Sequence, residues 1–166
     1  MKYFIIAVTM AALAVVATDA RANDITADVV LNGGTAAFEA IHTDSFLFTD
    51  TFNIDVSGSV LASASLVTIG FTPGQNIDFT GATLNGNPLW ILGSGNIFET
   101  AFTPGQLGLT GPLQLLVTGT SGAGNGSYAS YAGTVNVSSV PEPASLMLLG
   151  AGLAGIGIWR RNSMKI

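Results

Sequence analysis

Residues 46–56 read Phe46-Leu47-Phe48-Thr49-Asp50-Thr51-Phe52-Asn53-Ile54-Asp55-Val56. Phe46, Phe48, Phe52, Ile54 and Val56 fall on one face. Leu47, Thr49, Thr51, Asn53 and Asp55 fall on the other, the period-two pattern of a strand with one face buried. Asp50 sits on the apolar face, between Phe48 and Phe52. A carboxylate in an apolar interior is costly unless something pairs with it. Asp50 therefore needs hydrogen bonds, a metal, or a bulge that turns it outward. A structural answer, hydrogen bonds or a bulge, is the expectation over a metal, since buried polar groups are ordinarily satisfied by the protein itself.

The same short β-branched and aromatic runs recur on both sides. They predict strands at Ala27–Leu31, Ala36–Ile41, Val60–Ile69, Ile77–Leu84, Leu89–Leu92, Ile97–Phe102, Leu113–Val117 and Tyr128–Val137. Turn residues separate them at Asn32-Gly33-Gly34, Ser57-Gly58, Asn85-Gly86-Asn87-Pro88 and Gly93-Ser94-Gly95-Asn96. No stretch between Asn23 and Val140 has a helical period. The fold class is all-β: one antiparallel β-sandwich, jelly-roll-like, occupying residues 23–140. Phe71-Thr72-Pro73-Gly74-Gln75 is echoed by Phe102-Thr103-Pro104-Gly105-Gln106. Pro followed by Gly predicts a type II turn in each copy, and so two similar hairpins.

Composition then limits what such a domain can do. Residues 23–140 contain neither Lys nor Arg. Their eight acids, Asp24, Asp28, Glu39, Asp44, Asp50, Asp55, Asp78 and Glu99, give a formal charge of −8. Nucleic-acid binding rests on Lys and Arg neutralising phosphates, so it is not expected, and phosphate ligands and anionic headgroups are disfavoured for the same reason. Divalent cations, neutral glycans and other proteins remain. Cysteine is absent, which excludes disulfides, thiol chemistry and Cys-ligated zinc and leaves the core to hold the fold alone.

All five basic residues lie in the end segments. At the start, Lys2 precedes an apolar run from Tyr3 to Ala17, and Ala20-Arg21-Ala22 forms an A-x-A site. Residues 1–22 thus read as a signal peptide cut by signal peptidase after Ala22. At the end, Pro141-Glu142-Pro143 breaks the chain. An uncharged run from Ala144 to Trp159 follows, then Arg160-Arg161 and Lys165. The expectation is a transmembrane sorting helix, although its sixteen residues make only roughly 24 Å against a hydrocarbon core of about 30 Å, short for a span. Trp159 and the arginines would anchor its cytoplasmic end at the interface.

Residues 141–166, with Pro-Glu-Pro, a hydrophobic segment and a basic end in that order, resemble the PEP-CTERM sorting signal. The resemblance implies a Gram-negative bacterium, a transient hold in the inner membrane, processing by an exosortase-type enzyme near Pro-Glu-Pro, and delivery to the cell surface or matrix. Phe48, Asp50 and Phe52 spell F-x-D-x-F, which together with the tail resembles the FxDxF group of PEP-CTERM proteins. Asn76-Ile77-Asp78-Phe79 and Gly126-Ser127-Tyr128 look like that group as well. The resemblance brings no catalytic residue with it.

Several patterns invite chemistry. Gly150-Ala151-Gly152-Leu153-Ala154-Gly155 matches G-x-G-x-x-G, but no βαβ unit can follow so near the terminus. His42, Asp44 and Ser45 suggest a triad, yet on a strand Ser45 faces away from the other two. Glu39 and Glu99 would serve a glycosidase only if one cleft held both. Calcium suits the acid excess, with Asn76 or Asp78 beside flexible turns, although no D-x-D-x-D-G loop is present. Trp90, Tyr128 and Tyr131 would stack on sugars if exposed, and pack in the core otherwise.

The expectation is an exported protein, not an enzyme and without a cofactor, with a structural or adhesive role in an exopolysaccharide matrix. Its alternative is a glycan- or calcium-binding module. An aromatic platform on the surface would favour the glycan module; a buried Trp90 and uniformly polar faces would favour the structural role.

Overall fold

A computed structural model describes residues 24–44, 46–93, 97–140 and 143–163. The expected leader 1–22, Ser45, most of the turn at 93–96, Pro141, Glu142 and Lys165 lie outside the described residues. The strands are β1 (Thr26–Val29), β2 (Thr35–His42), β3 (Leu47–Ile54), β4 (Ser59–Ile69), β5 (Ile77–Leu84) and β6 (Asn87–Pro88). They continue as β7 (Trp90–Leu92), β8 (Phe98–Phe102), β9 (Leu107–Thr110), β10 (Leu113–Ser121) and β11 (Ala129–Ser139).

Among the described residues these strands form two sheets, a sandwich-like arrangement. One runs β1-β3-β10-β5-β6; the other runs β2-β11-β4-β8-β7, with β9 also paired to β4. Nearly all pairs are antiparallel. The exception is β1, which runs parallel to β3, so the sheet is not wholly antiparallel as the turn-rich sequence implied. A parallel neighbour needs a long connection, and here β2, in the opposite sheet, supplies it.

The core lies between the sheets. The first sheet gives bulky residues, among them Phe48, Phe52, Ile54, Ile77, Phe79, Leu84 and Leu115. The second sets small residues, Ala36, Ala40, Ala62, Ala64, Ala101 and Ala129, among larger ones such as Phe38, Leu66 and Tyr131. Alternating large and small residues let two inner faces interdigitate. Strand β3 buries Phe48, Asp50, Phe52 and Ile54 as its alternation requires. Phe46 departs from the pattern: it precedes the strand and is exposed.

Local chemistry sets the connections. Asn85 and Gly86 both take positive φ, 47° and 77°, which makes the tight β5–β6 hairpin. Leu89 is buried where the chain leaves β6 in one sheet for β7 in the other. A register shift opposite Thr118 and Gly119 leaves Thr80 as an extra residue in β5. That bulge keeps Phe79 and Ala82 both inward although three positions separate them.

Two expectations fail here. Neither Gly74 nor Gly105 has the positive φ a type II turn demands. The first copy instead winds into a 3-10 turn, Pro73–Gln75, closed by Gln75 N–H to Thr72 O at 2.9 Å. The second copy does not reverse the chain, because β8 and β9 both run antiparallel to β4 along one edge.

The tail also differs from expectation. It forms helix α1 (Pro143–Ser163), yet no helix among the described residues is long and apolar enough to cross a membrane. Length is the reason: roughly 24 Å of uncharged helix meets a core of about 30 Å before Arg160 is reached.

Candidate functional site

The F-x-D-x-F residues meet inside the sandwich. Asp50 is fully buried. No bulge turns it out, since the β3–β10 register is unbroken from Leu47 to Ile54. Its Oδ1 accepts the Ile25 N–H at 2.9 Å, from the residue just before β1. Its Oδ2 accepts from His42 Nε2 at 3.0 Å and from the Tyr131 hydroxyl at 2.5 Å. These partners come from both sheets, so one carboxylate ties β1 and β3 to β2 and β11. In a domain without Lys or Arg, a backbone amide, an imidazole and a phenol serve as the donors.

Rings close the site. His42 is fully buried and stacks on Phe48 with centroids 4.2 Å apart. Tyr131 meets Phe79 edge-on at 5.4 Å and Phe52 edge-on at 6.4 Å. Burial first, then the Asp50 charge and the hydrogen bond to it, push the Tyr131 phenol well above its ordinary range, so it remains a donor. A carboxylate only accepts, so His42 Nε2 is the donor in this pair. Nδ1 is buried without a partner.

The tempting catalytic pairs do not assemble. His42 points into the core while Asp44 is exposed. Glu39 is exposed on the outer face of β2, whereas Glu99 is buried between the sheets. There Glu99 Oε2 accepts the Phe79 N–H at 2.8 Å, beside the β5 bulge. The two glutamates therefore share no cleft.

The outer face of the second sheet is different. Trp90, Phe102, Ser65, Thr134 and Ala37 stand side by side across five strands, each the register partner of the next. Next to them lie Leu92, Thr100, Val67 and Ala132, and beyond these Phe98 and Ile69. Trp90 is 60 % exposed and meets the Phe102 ring at 6.2 Å, nearly edge-on. Phe98, Leu92 and Ile69 are half exposed or more. The aromatic edge gives way to a hydroxyl-bearing strip, where Ser65 and Thr134 oxygens lie 3.4 Å apart. Ser65, Val67, Thr100, Ala132 and Thr134 line a shallow depression of about 360 Å³. Tyr131, the other aromatic of interest, is core; Tyr128 is exposed. Alternation on β7 and β8 would have placed Trp90, Phe98 and Phe102 on one face, but only the pairing of β7 with β8 brings them together.

A family model for the PEP-CTERM protein-sorting motif matches residues 139–161. The tail is a PEP-CTERM sorting motif. It marks an exported protein, sorted to the surface in Gram-negative bacteria and processed by an exosortase-type enzyme. Pro141, Glu142, Pro143, Arg160 and Arg161 all fall within the matched residues. None of the curated proteins compared is similar in sequence to the chain.

Among solved structures, the pre-peptidase C-terminal domain of a collagenase from Bacillus anthracis is 14 % identical, with a TM-score of 0.35. That likeness covers 69 % of this chain and 96 % of the other. PliG of Salmonella Typhimurium, a periplasmic inhibitor of g-type lysozyme, is 15 % identical over 67 % of this chain and 97 % of its own, with a TM-score of 0.32. PliG of Aeromonas hydrophila is 14 % identical over 69 % and 99 %, with a TM-score of 0.29. Likeness this slight carries no argument about what the PEP-CTERM protein does.

Proposed function

We propose that this PEP-CTERM protein is a non-catalytic adhesive module that binds neutral polysaccharide on the outer face of its second sheet. The exposed Trp90, set against Phe102 with the Ser65 and Thr134 hydroxyls farther along the same row, carries the reading. A sugar ring has an apolar C–H face that stacks on an aromatic, and a rim of hydroxyls that pairs with Ser and Thr. Only Glu39 brings charge near this face, which suits an uncharged polymer. An exposed apolar surface of this kind on an exported domain signals a partner.

Its position supports the same reading. The chain leaves the domain where Ser139 pairs with Val60. Phe102 and Phe98 pair farther along β4, with Ser65 and Ile69, roughly 17–30 Å away at about 3.3 Å per residue. A domain held by its tail would thus present the aromatic face away from the membrane. The strand interleaving β2-β11-β4-β8 against β3-β10-β5-β6 supports a jelly-roll-like description. As a non-enzyme, the domain would need only the sorting tail and this face, which fits a role in an exopolysaccharide matrix.

Affinity electrophoresis of the full-length chain through gels cast with neutral or acidic polysaccharides tests the reading. Retardation is expected in a neutral gel, and Trp90→Ala should weaken it by about 2 kcal/mol, roughly thirtyfold in affinity. Equal retardation of wild type and Trp90→Ala, or none in any neutral gel, would sink it.

The membrane hold belongs to the same proposal. A helix too short for a durable span, ended by Trp159 and two arginines, fits a segment kept in the bilayer only until it is cut. Intact mass on protein from the native culture should give a released species starting at Asn23 and ending near Pro141. A chain running to Ile166 in the envelope fraction alone would contradict release.

A further inference from the structure

We propose that Asn76 and Asp78 hold a calcium ion in the cavity between the Pro73–Gln75 turn, the start of β5 and the end of β10. The cavity has a volume of about 390 Å³, and Thr72, Thr120 and Ser121 also line it. Asn76 is extended, and Ile77 and Phe79 point into the core, so Asn76 and Asp78 share the opposite side of the chain. Thr120 is the register partner of Asp78 and stands beside it on that face.

Two observations converge on a cation. Asn76 Oδ1 and Asp78 Oδ1 are both buried and both lack a hydrogen-bond partner. Buried acceptors are ordinarily paired, so two orphans in one cavity call for a ligand that satisfies oxygen. The fold has no cation of its own to offer. Residues 23–140 include neither Lys nor Arg, and their single histidine is committed to Asp50.

The donor set selects the ion. Among the described residues no three His, Cys, Asp or Glu side chains are grouped to hold a metal, so the further ligands must be neutral oxygens and water. Calcium takes six to eight oxygens in flexible geometry, whereas magnesium demands a near-ideal octahedron and softer metals prefer nitrogen or sulfur. The cavity has room for the waters that would complete a calcium shell. This site is separate from the glycan face and stands without it.

Equilibrium dialysis of the full-length chain in mild detergent against calcium chloride provides the test. One saturable ion is expected, with Kd about 10⁻⁴–10⁻³ M, the range of extracellular calcium modules. Asp78→Asn and Asn76→Ala should each weaken binding by about 10–100-fold, as losing a ligand costs at least what losing a supporting partner does. Asp55→Asn, which removes the same charge from an exposed position elsewhere, should leave Kd unchanged. No saturable binding by the wild type would overturn the proposal, and so would equal losses in Asp55→Asn and Asp78→Asn. Full affinity in Asn76→Ala would also overturn it. Circular dichroism confirms folding, and if Asp78→Asn does not fold, Asn76→Ala decides alone.

Discussion

Asp50→Ala is expected to destabilise the domain by about 3–5 kcal/mol, the cost of removing one member of a buried, hydrogen-bonded charged group. The loss arises less from the bonds themselves than from what they leave behind. Ile25 N–H, His42 Nε2–H and the Tyr131 hydroxyl all donate to this one carboxylate. His42 and Tyr131 are buried on the second sheet, so without Asp50 neither reaches water or a substitute acceptor. Each orphaned donor costs about 1–3 kcal/mol, although their relaxation together keeps the sum from being additive. Total stability for a domain is about 5–15 kcal/mol, so the change consumes a large share of it. Urea denaturation of the full-length chain, followed by tryptophan fluorescence, measures it. A shift below about 1 kcal/mol would mean that the hub is not what joins the sheets.

Tyr131→Phe supplies the graded comparison. It removes one donor and leaves the carboxylate two others, so it should cost less than Asp50→Ala. The reverse order would place the weight on the tyrosine ring packing rather than on the carboxylate.

Phe48→Ala should cost a similar amount, about 3–5 kcal/mol, by the transfer of a large side chain and the cavity it leaves. Phe48 is buried and covers the His42 imidazole at 4.2 Å. Its ring also lies against Gly119, where an added Cβ would stand 2.7 Å from Phe48 Cζ. The absent side chain at Gly119 is therefore what lets the ring reach its place. Because Phe48 stacks on His42 and lies 5.9 Å from the Tyr131 ring, its removal also loosens the donors around Asp50. Phe48→Ala combined with Asp50→Ala should thus fall short of the sum of the two single effects. Additive losses in the same urea series would show that ring and carboxylate act independently.

These expectations give the F-x-D-x-F pattern a physical meaning. The aromatics build the apolar inner face of β3, and the aspartate between them pins that face to the opposite sheet. Neither aromatic nor carboxylate lies at the surface where a ligand would touch it. The candidate ligand face is built from other residues, on the other sheet.

The sequence by itself determined the strand character of residues 46–56, because period-two alternation is a local property of the chain. It likewise determined that Asp50 needed hydrogen bonds, a metal or a bulge to be tolerated there, and that Lys and Arg would not be among its partners. The PEP-CTERM tail was legible for a related reason: its proline break, apolar run and basic end are contiguous. Tertiary structure alone decided the rest. His42, Tyr131 and Ile25 are separated from Asp50 by 8, 81 and 25 positions. No local pattern records such distances. The parallel docking of β1, the sheet switch at Leu89 and the gathering of Trp90, Phe98 and Phe102 depend in the same way on which strands pair. The two Phe-Thr-Pro-Gly-Gln segments show the limit from the other side. Identical residues take different paths there, because their surroundings, and not their own turn preferences, fix where the chain must go next.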